Sequence, residues 1–307
     1  LQLLIFMKNK YYLGGVLLPV PPRDEQDKIV RYLNWQVSKI NKLIVTKKKR
    51  ISLLLEQRQI VIDETVLKTC IKDEDENSKA PYGLIIPENW SVLKFNGFFK
   101  FFKGLGITKA DLVDEGVSVI SYGQVHSKLN TGTEINDSLI RFVDEKYLST
   151  SQNALTKQGD FIFADTSEDF EGVGNCVFVN RDYTIFAGYH TLVARPKDGK
   201  MHRYLAYLFM SSFWRYQLRK SVNGVKVYSI TQKILKNTLV ILPPEDEQNS
   251  IVSHLDKKCL LISKTIDKIK SEILLLEELK KSIISNVVTG QIDVSEMEVP
   301  EFEIVEE

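Results

Sequence analysis

Two stretches of the chain carry the same heptad pattern of hydrophobic residues. In the first stretch, the pattern is formed by Val30, Leu33, Val37, Ile40, Ile44, Ile51, Leu54 and Val61. In the second, it is formed by Val252, Leu255, Cys259, Ile262, Ile266, Ile269, Ile273, Leu276, Ile283 and Val287. A sustained and narrow seam of this kind is typical of a helix that packs against another helix. The sequence therefore predicts two long helices, at residues 21–71 and 243–292.

The two stretches are copies of one sequence element. Each begins with a Pro-Pro pair, acidic residues and a glutamine, at 21–26 and again 222 residues later at 243–248. The prolines hold the preceding chain extended, and acidic residues are favourable in the first turn of a helix. A basic interruption of the seam recurs as well, as Arg58 and Lys280. Such a repeat predicts two similar helices that bracket one other domain.

The two helices are expected to pack against each other as an antiparallel coiled coil. In a parallel arrangement in register, Arg58 and Lys280 would place two like charges at one layer, whereas an antiparallel arrangement separates them. The candidate interface residues are Ile40, Ile44, Ile51, Leu54, Ile262, Ile266, Ile273 and Leu276. A coiled-coil spacer without any further role is the alternative interpretation.

Between the helices, the pattern changes to short hydrophobic runs. Runs at 117–122, 160–164, 175–179 and 191–194 indicate strands, and 202–218 and 231–235 indicate helices. The expected fold class is α+β, with one mixed, strand-rich domain at 87–242 flanked by the two long helices. The remaining segments are interpreted as the end of a preceding domain at 1–20, a linker at 72–86 and a disordered acidic tail at 293–307.

The composition is that of a globular protein, with 43% hydrophobic and 26% charged residues. Cys70, Cys176 and Cys259 are far apart and form no CxxC pair, which fits a reducing compartment. The hydrophobic opening at 1–7 is too short to span a bilayer. We therefore expect a cytoplasmic protein without a membrane partner.

The net charge of +1 conceals a strong asymmetry. Residues 199–244 contain eight basic and no acidic residues, whereas all charged residues after Ile292 are acidic. A basic stretch on a balanced chain indicates a phosphate-binding surface, and a solvated helix face is the alternative. Polar loops at 103–109, 122–128, 165–172 and 221–228 add side chains of the types that contact DNA.

Ten loop residues are candidates for contact with double-stranded DNA. Those chosen for phosphate contacts are Lys103, Lys109, Lys128, Arg219 and Lys226. Those chosen for base edges or groove walls are Gln124, Ser167, Glu168, Asn223 and Tyr228. Each choice rests on polarity and on placement in a loop, and an ordinary surface residue is the alternative for each.

The sequence lacks the motifs of several enzyme classes. It has no GxxxxGK[ST] phosphate loop, no glycine-rich dinucleotide turn and no pair of histidines at helical metal-ligand spacing. The acidic residues Asp160, Asp165, Glu168, Asp169 and Glu171 could hold Mg²⁺ in a nuclease-like site, and a polar loop is the alternative. A non-catalytic chain without a cofactor of its own is therefore expected.

Several short motifs, in order, resemble the specificity subunits of type I restriction-modification systems. They are the Pro-Pro-x-x-Glu-Gln elements followed by Ile29-Val30-x-x-Leu33 and Ile251-Val252-x-x-Leu255, then Pro87-x-x-Trp90, Gly159–Phe163, Tyr228–Thr231 and Val288–Ile292. The resemblance covers nearly the whole chain. It implies a subunit that reads DNA through target recognition domains, while two conserved helices pack antiparallel and set the gap between half-sites.

The resemblance also implies partners. In this family the helices dock methyltransferase (M) subunits, which bind S-adenosylmethionine, and a restriction (R) subunit assembles outside them. This chain carries one complete recognition domain, so it resembles the C-terminal part of a subunit or a half-length form. A homodimer would imply a palindromic target. The alternative function is a coiled-coil structural adaptor whose middle domain binds a protein.

Overall fold

The computed structural model describes residues 20–68, 71–72, 84–182, 184–222 and 227–306. The chain divides into two compact units. One unit comprises residues Leu1–Gln57 and Leu260–Glu307, and the other comprises Arg58–Cys259. The expected domain end at 1–20 lies, except for Val20, outside the described residues, as does most of the linker expected at 72–86.

The described residues form eight helices and fourteen strands, numbered here in chain order. The helices are α1 Arg23–Val66, α2 Phe95–Phe98, α3 Tyr122–Val125, α4 Tyr147–Thr150, α5 Arg203–Met210, α6 Ser212–Arg219, α7 Gln232–Asn237 and α8 Glu245–Val288. The strands are β1 Ile71–Lys72, β2 Leu84–Ile85, β3 Ser91–Lys94, β4 Phe99–Lys103, β5 Leu112–Val113, β6 Val117–Ile120, β7 Arg141–Val143, β8 Phe161–Ala164, β9 Thr166–Ser167, β10 Cys176–Phe178, β11 Ile185–Ala187, β12 Thr191–Pro196, β13 Tyr228–Ser229 and β14 Leu239–Leu242. The α+β class expected from the sequence is confirmed by a strand-rich domain and a long C-terminal helix.

The repeated Pro-Pro element starts both long helices in the same way. The helices begin directly after the second proline of each pair, and each contains 44 residues. The side-chain amide of Gln26 donates to the carbonyl of Pro21 at 2.8 Å, and that of Gln248 donates to Pro243 at 2.8 Å. The repeated glutamine therefore ties the first helical turn back to the chain that precedes it.

In the first unit, α1 and α8 share a hydrophobic cluster. Its buried members are Ile40, Ile44, Ile269 and Ile273, and Ile51, Leu54, Leu276 and Ile283 pack against them. Two polar contacts join the same helices: Lys47 Nζ lies 2.7 Å from Glu272 Oε2, and Lys280 Nζ donates to Asn41 Oδ1 at 3.3 Å. The predicted interface residues Ile262 and Ile266 are buried as well.

The acidic tail has a defined position, where the sequence predicts disorder. Residues 293–306 contain no helix or strand, yet they lie against α1. Lys28 and Arg31 donate to the carbonyls of Ser295 and Val299, at 2.8 and 3.2 Å. Asn41 donates to the carbonyl of Val305 at 2.8 Å. Side chains of the helix thus satisfy backbone groups of a segment that forms no regular structure itself.

Two four-stranded sheets form the second unit. One has the strand order β10-β8-β12-β4 with every pair antiparallel, and the other has the order β11-β6-β7-β5 with a parallel β11–β6 pair. Two-stranded pairs β1–β2, β13–β9 and β14–β3 complete it. The core is rich in aromatic rings, and its largest buried side chains include Phe95, Phe99, Phe161, Phe163, Phe209 and Trp214.

Two local details explain sequence features of this domain. The helical stretch expected at 202–218 is divided at Ser211, whose backbone is extended and whose hydroxyl accepts from the N–H of Trp214 as an N-cap. Trp90, from the Pro87-x-x-Trp90 element, donates its indole N–H to Glu247 at 2.9 Å. An acidic residue of the second Pro-Pro element thus holds the start of the domain. Within the part of the chain that the structure describes, no helix is long and hydrophobic enough to cross a membrane.

Candidate nucleic-acid interface

One edge of the β10-β8-β12-β4 sheet gathers several of the polar loops. Strand β12 begins with Thr191 opposite Ala164, the last residue of β8, and its next residue lies opposite Lys103, the last residue of β4. The loops that follow β4 and β8 and the turn that precedes β12 therefore leave the sheet at the same edge. We call this surface the loop edge and define it as residues 103–109, 122–126, 165–172 and 188–190.

Within the loop edge, helix α3 is fixed to the neighbouring loops by hydrogen bonds. The backbone N–H of Tyr122 donates to the carbonyl of Tyr189 at 3.2 Å. The ring of His126 lies between the side-chain amide of Asn175, 3.2 Å from Nδ1, and the carbonyl of Thr166, 2.8 Å from Nε2. With the amide donating to Nδ1, Nε2 carries the proton and donates to the carbonyl. His126 is therefore a bridge between two loops rather than a free side chain.

Aromatic rings cluster beside this bridge. The ring of Tyr122 meets those of Tyr189 and His190 edge to face, with centroids 5.6 Å apart in both pairs. The side chain of His190 is 59% exposed, and its Nδ1 lies 3.3 Å from Oδ1 of Asp165. Aromatic and polar groups that share an exposed surface of this kind can stack on bases or hydrogen-bond to their edges.

The loop after β9 is anchored from α6. Arg219 donates to the carbonyl of Glu171 at 2.7 Å and to its carboxylate at 3.1 Å. Its guanidinium also lies over the ring of Phe170, which in turn meets Tyr228 edge to face at 5.4 Å. These contacts hold the loop against the domain, so the charge of Arg219 is partly used within the protein.

Five predicted DNA contacts are accessible in the structure. Lys103, Lys109, Lys128 and Glu168 are exposed, and Tyr228 is half-buried. Lys109 lies on a single 3-10 turn, Lys109–Asp111, which Thr108 and Asp111 close with reciprocal hydrogen bonds. The backbone and hydroxyl donors of Thr108 hold the pKa of the Asp111 carboxyl below its usual value. The position of Lys109 is therefore fixed by its local turn.

The remaining predicted contacts have other roles or lie elsewhere. Ser167 was expected to face DNA, but it is 1% exposed because β9 pairs with β13, and its hydroxyl donates to the carbonyl of Asp169 at 2.7 Å. Gln124 is half-buried and accepts from the N–H of Ser121, so its carbonyl oxygen caps α3. Asn223 and Lys226 lie outside the described residues.

The acidic residues do not assemble into a metal site. Asp160 is 1% exposed and forms a bidentate ion pair with Arg195, whereas Asp165 faces His190. Asp169 accepts from the N–H of Gly172 and closes its own loop. Among the described residues, no three acidic, histidine or cysteine side chains are grouped so that they could hold a metal ion. These acids therefore have separate partners within the described part of the domain.

The aromatic part of the loop edge is not predicted by the sequence. Tyr122, Tyr189 and His190 belong to no motif, and Tyr189 follows Tyr122 by 67 positions in the chain. His190 also adopts a left-handed backbone with φ of +53°, which no pattern in the sequence indicates. The run Gly188-Tyr189-His190 between two buried strands was the only available signal, since a glycine followed by two aromatic residues suggests an exposed turn.

Comparison with known proteins places this architecture in a family. Residues 87–274 match the type I restriction modification DNA specificity domain. This match includes the strand-rich domain and the first part of α8, and it extends over more than half of the chain. The chain therefore belongs to this family, which confirms the resemblance drawn from its short motifs.

The chain is also similar to individual proteins. The chain is 25% identical over 293 residues to the specificity subunit of the type I restriction enzyme MjaVIII from Methanocaldococcus jannaschii, a match that includes 94% of this chain and 65% of the relative. A solved chain from a study of complex assembly and conformational transition of the type I R-M system shares the fold, with a TM-score of 0.54 and 20% identity over 90% of this chain and 62% of that chain. The HsdS subunit from Thermoanaerobacter tengcongensis has a TM-score of 0.44 and 19% identity, over 90% of this chain and 61% of that chain. The chain thus spans less than two thirds of the length of these proteins.

Proposed function

We propose that the chain is the DNA-recognition part of a type I restriction-modification complex and that its domain reads one half of a bipartite site. The observation that carries this proposal is the loop edge, where exposed lysines and aromatic rings meet at one end of a rigid sheet. Recognition sites of this kind work because the scaffold fixes the loops that carry the contacts. Membership of the specificity-domain family supports the same conclusion.

One set of side chains contacts phosphates, and a second set contacts bases. Exposed lysines such as Lys103, Lys109 and Lys128 bind phosphates, which sets the register of the domain on the duplex without reading sequence. Glu168, which is exposed on the loop after β9, and Tyr228, which is half-buried on β13, contact base edges or groove walls. The specificity of the complex then depends on the second group and its affinity largely on the first.

The long helices act as an antiparallel spacer. The contacts between α1 and α8 support this arrangement, because a step back along α1 from Lys47 to Asn41 accompanies a step forward along α8 from Glu272 to Lys280. The antiparallel direction also separates Arg58 from Lys280, the two charges that a parallel register would bring together. Two helices fixed in this way would form a spacer of set length.

Catalysis resides in partner subunits. Methyltransferase (M) subunits with bound S-adenosylmethionine dock on the helix pair, and a restriction (R) subunit joins the assembly in the cytoplasm. Support comes from exposed leucines on the part of α8 that belongs to the first unit, because exposed hydrophobic side chains mark protein interaction sites. They are Leu260, Leu261, Leu274, Leu275 and Leu279. In a homodimer, a second copy of the chain would read the other half-site, and the target would then be palindromic.

Selection from a pool of random DNA duplexes tests the function. The chain is combined with a type I methyltransferase (M) subunit and S-adenosylmethionine, and bound duplexes are sequenced. Enrichment of a defined half-site is the expected result. The absence of enrichment in every subunit combination would contradict DNA recognition and favour a structural adaptor. Enrichment of two inverted half-sites, together with a dimeric mass in light scattering, would identify the homodimer.

A further inference from the structure

We propose that His190 is a specificity-determining residue that hydrogen-bonds to an exocyclic amino group of adenine or cytosine in the target. Asp165 acts as its positioning residue. This inference rests on the proposed function in DNA recognition and names one contact within it. Four independent features of the turn 188–190 lead to it.

The first feature is the backbone of His190. Its φ of +53° makes it the single non-glycine residue with a positive φ in the part of the chain that the structure describes. A residue with a Cβ atom rarely adopts this left-handed conformation, and glycine or asparagine would occupy it more easily. Strained backbone of this type persists where the surroundings impose it, and such positions cluster at functional sites.

The second feature is the set of hydrogen bonds that impose this conformation. The N–H of Gly188 donates to the carbonyl of Ile120 at 2.8 Å, and the carbonyl of Tyr189 accepts from the backbone N–H of Tyr122 at 3.2 Å. The carbonyl of His190 itself accepts from the backbone N–H of Asp165 at 3.0 Å. The turn is therefore bonded to both neighbouring loops, one from each sheet, and cannot relax without breaking these bonds.

The third feature is the accessibility of the imidazole. The side chain is 59% exposed although the residue is bracketed by the buried strands β11 and β12. A histidine kept for packing would be covered by its neighbours, and a turn kept only for its shape would favour glycine. The combination of a constrained backbone and an exposed ring indicates that the turn serves to present this side chain.

The fourth feature fixes which atom of the ring is available. Asp165 Oδ1 lies 3.3 Å from Nδ1, so in the neutral ring the proton sits on Nδ1 and is donated to the carboxylate. Nε2 is then an acceptor, and no described residue hydrogen-bonds to it. In the major groove, the donors that such an acceptor can meet are the amino groups N6 of adenine and N4 of cytosine. Tyr122, with its ring 5.6 Å from that of His190, limits the tilt of the imidazole.

The test is duplex selection with the chain in its methyltransferase complex, carried out for the wild type, His190→Gly, His190→Asn and Asp165→Asn. His190→Gly removes the ring and relieves the backbone, so its melting temperature should equal or exceed that of the wild type. Its preference for adenine or cytosine at one target position should fall about 5-fold, the lower end of the range for a bidentate base contact, because Nε2 makes a single hydrogen bond. His190→Asn, which tolerates the same backbone, should change the preference at that position only. Asp165→Asn should weaken the preference by a smaller factor.

The controls separate the possible outcomes. His254→Ala removes another exposed histidine, on α8, and should leave the selected sequence unchanged. Binding of each variant to a duplex that lacks the target should stay within about twofold of the wild type, since phosphate contacts are intact. If the wild type enriches a defined target and His190→Gly enriches the same target at every position, the role of His190 is overturned while the proposed function stands. A wild-type selection without any enriched sequence would instead overturn the proposed function.

Discussion

The carboxylate of Asp160 and the guanidinium of Arg195 form a bidentate ion pair inside the strand-rich domain. Arg195 Nε lies 2.9 Å from Oδ1 and Nη2 lies 2.7 Å from Oδ2, and the carboxylate is 1% exposed. The same carboxylate accepts from the N–H of Lys157 at 2.8 Å. Arg195 also donates to the carbonyl of Leu155 at 3.0 Å. The pair therefore joins β12 to the chain that leads into β8.

Asp160→Ala should strongly destabilise the domain. Removal of one partner leaves the guanidinium of Arg195 without its counter-charge in a largely buried position, which typically costs about 3–5 kcal/mol. We expect this loss in the free energy of unfolding, measured by urea denaturation followed by circular dichroism. The matched control is Glu168→Ala, an exposed acid of the same cluster, which should change the free energy by less than about 0.5 kcal/mol. Equal stability of the two variants would show that the ion pair contributes little.

A charge exchange between the long helices tests the antiparallel arrangement proposed for them. Lys47→Glu and Glu272→Lys each replace the 2.7 Å ion pair with two like charges, so each variant alone should melt at a lower temperature than the wild type. The double variant restores an opposite pair and should recover most of that loss. Lys47→Glu combined with Glu278→Lys, an exposed residue on the same helix, should show no recovery. Recovery with Glu278→Lys but not with Glu272→Lys would contradict the observed register.

The same pair predicts a dependence of stability on acid. The hydrogen bond and the charge of Lys47 hold the pKa of Glu272 below its usual value in the folded state. The folded chain therefore resists protonation at this site, and the contribution to stability is complete above the ordinary glutamate pKa and lost as the pH falls through the lowered one. Lys47→Met should flatten the decrease in melting temperature between about pH 5 and pH 3, relative to the wild type. Parallel melting curves against pH would show that the pair contributes nothing.

The long helices were predictable because their signal is local and repeated. A heptad pattern indicates a helix that packs against another helix. The Pro-Pro element indicates where α1 and α8 begin, at Arg23 and Glu245. The short strands β3, β9 and β14 were not predicted, since two to four residues carry too little periodicity. Their existence depends on partners distant in the chain, as in the pairing of β14 with β3.

The site was predictable only in its polar loops. Lys103 and Lys128 could be chosen because an exposed lysine in a polar loop needs no tertiary partner. Ser167 was chosen on the same grounds and is buried, because its strand pairs with β13 some 60 residues later. His190 was not chosen, since its exposure results from hydrogen bonds to loops of both sheets. Exposure that follows from local composition can thus be predicted from the sequence, whereas burial or exposure that depends on tertiary pairing cannot.

Cys176 predicts a loss of stability in alkali. Burial raises the pKa of its thiol to about 12, although the charge of Arg215 opposes this shift. In the unfolded chain the thiol ionises near pH ~8.5, so above that pH the unfolded state loses a proton that the folded state keeps. The free energy of unfolding should therefore decrease by up to about 1.4 kcal/mol per pH unit from this site. Cys176→Ala should remove that slope between pH 9 and 11, whatever its effect at neutral pH, and unchanged slopes would contradict the burial of the thiol.

Exposed lysines of the recognition domain should determine how DNA binding responds to salt. Lys103 ends β4 at the loop edge, so Lys103→Ala should weaken binding to every duplex and reduce the slope of log Kd against log salt by about 0.9, the value for one lost phosphate contact. Lys226→Ala carries the same prediction, although that residue lies outside the described part of the chain. Lys157→Ala is the matched control, because this exposed lysine precedes β8 at the end of the strand opposite the loop edge. The slopes are measured by fluorescence anisotropy at salt concentrations from about 50 to about 300 mM, the range in which phosphate contacts have a strong effect. A smaller slope for Lys157→Ala than for Lys103→Ala would place the DNA at the other end of the sheet.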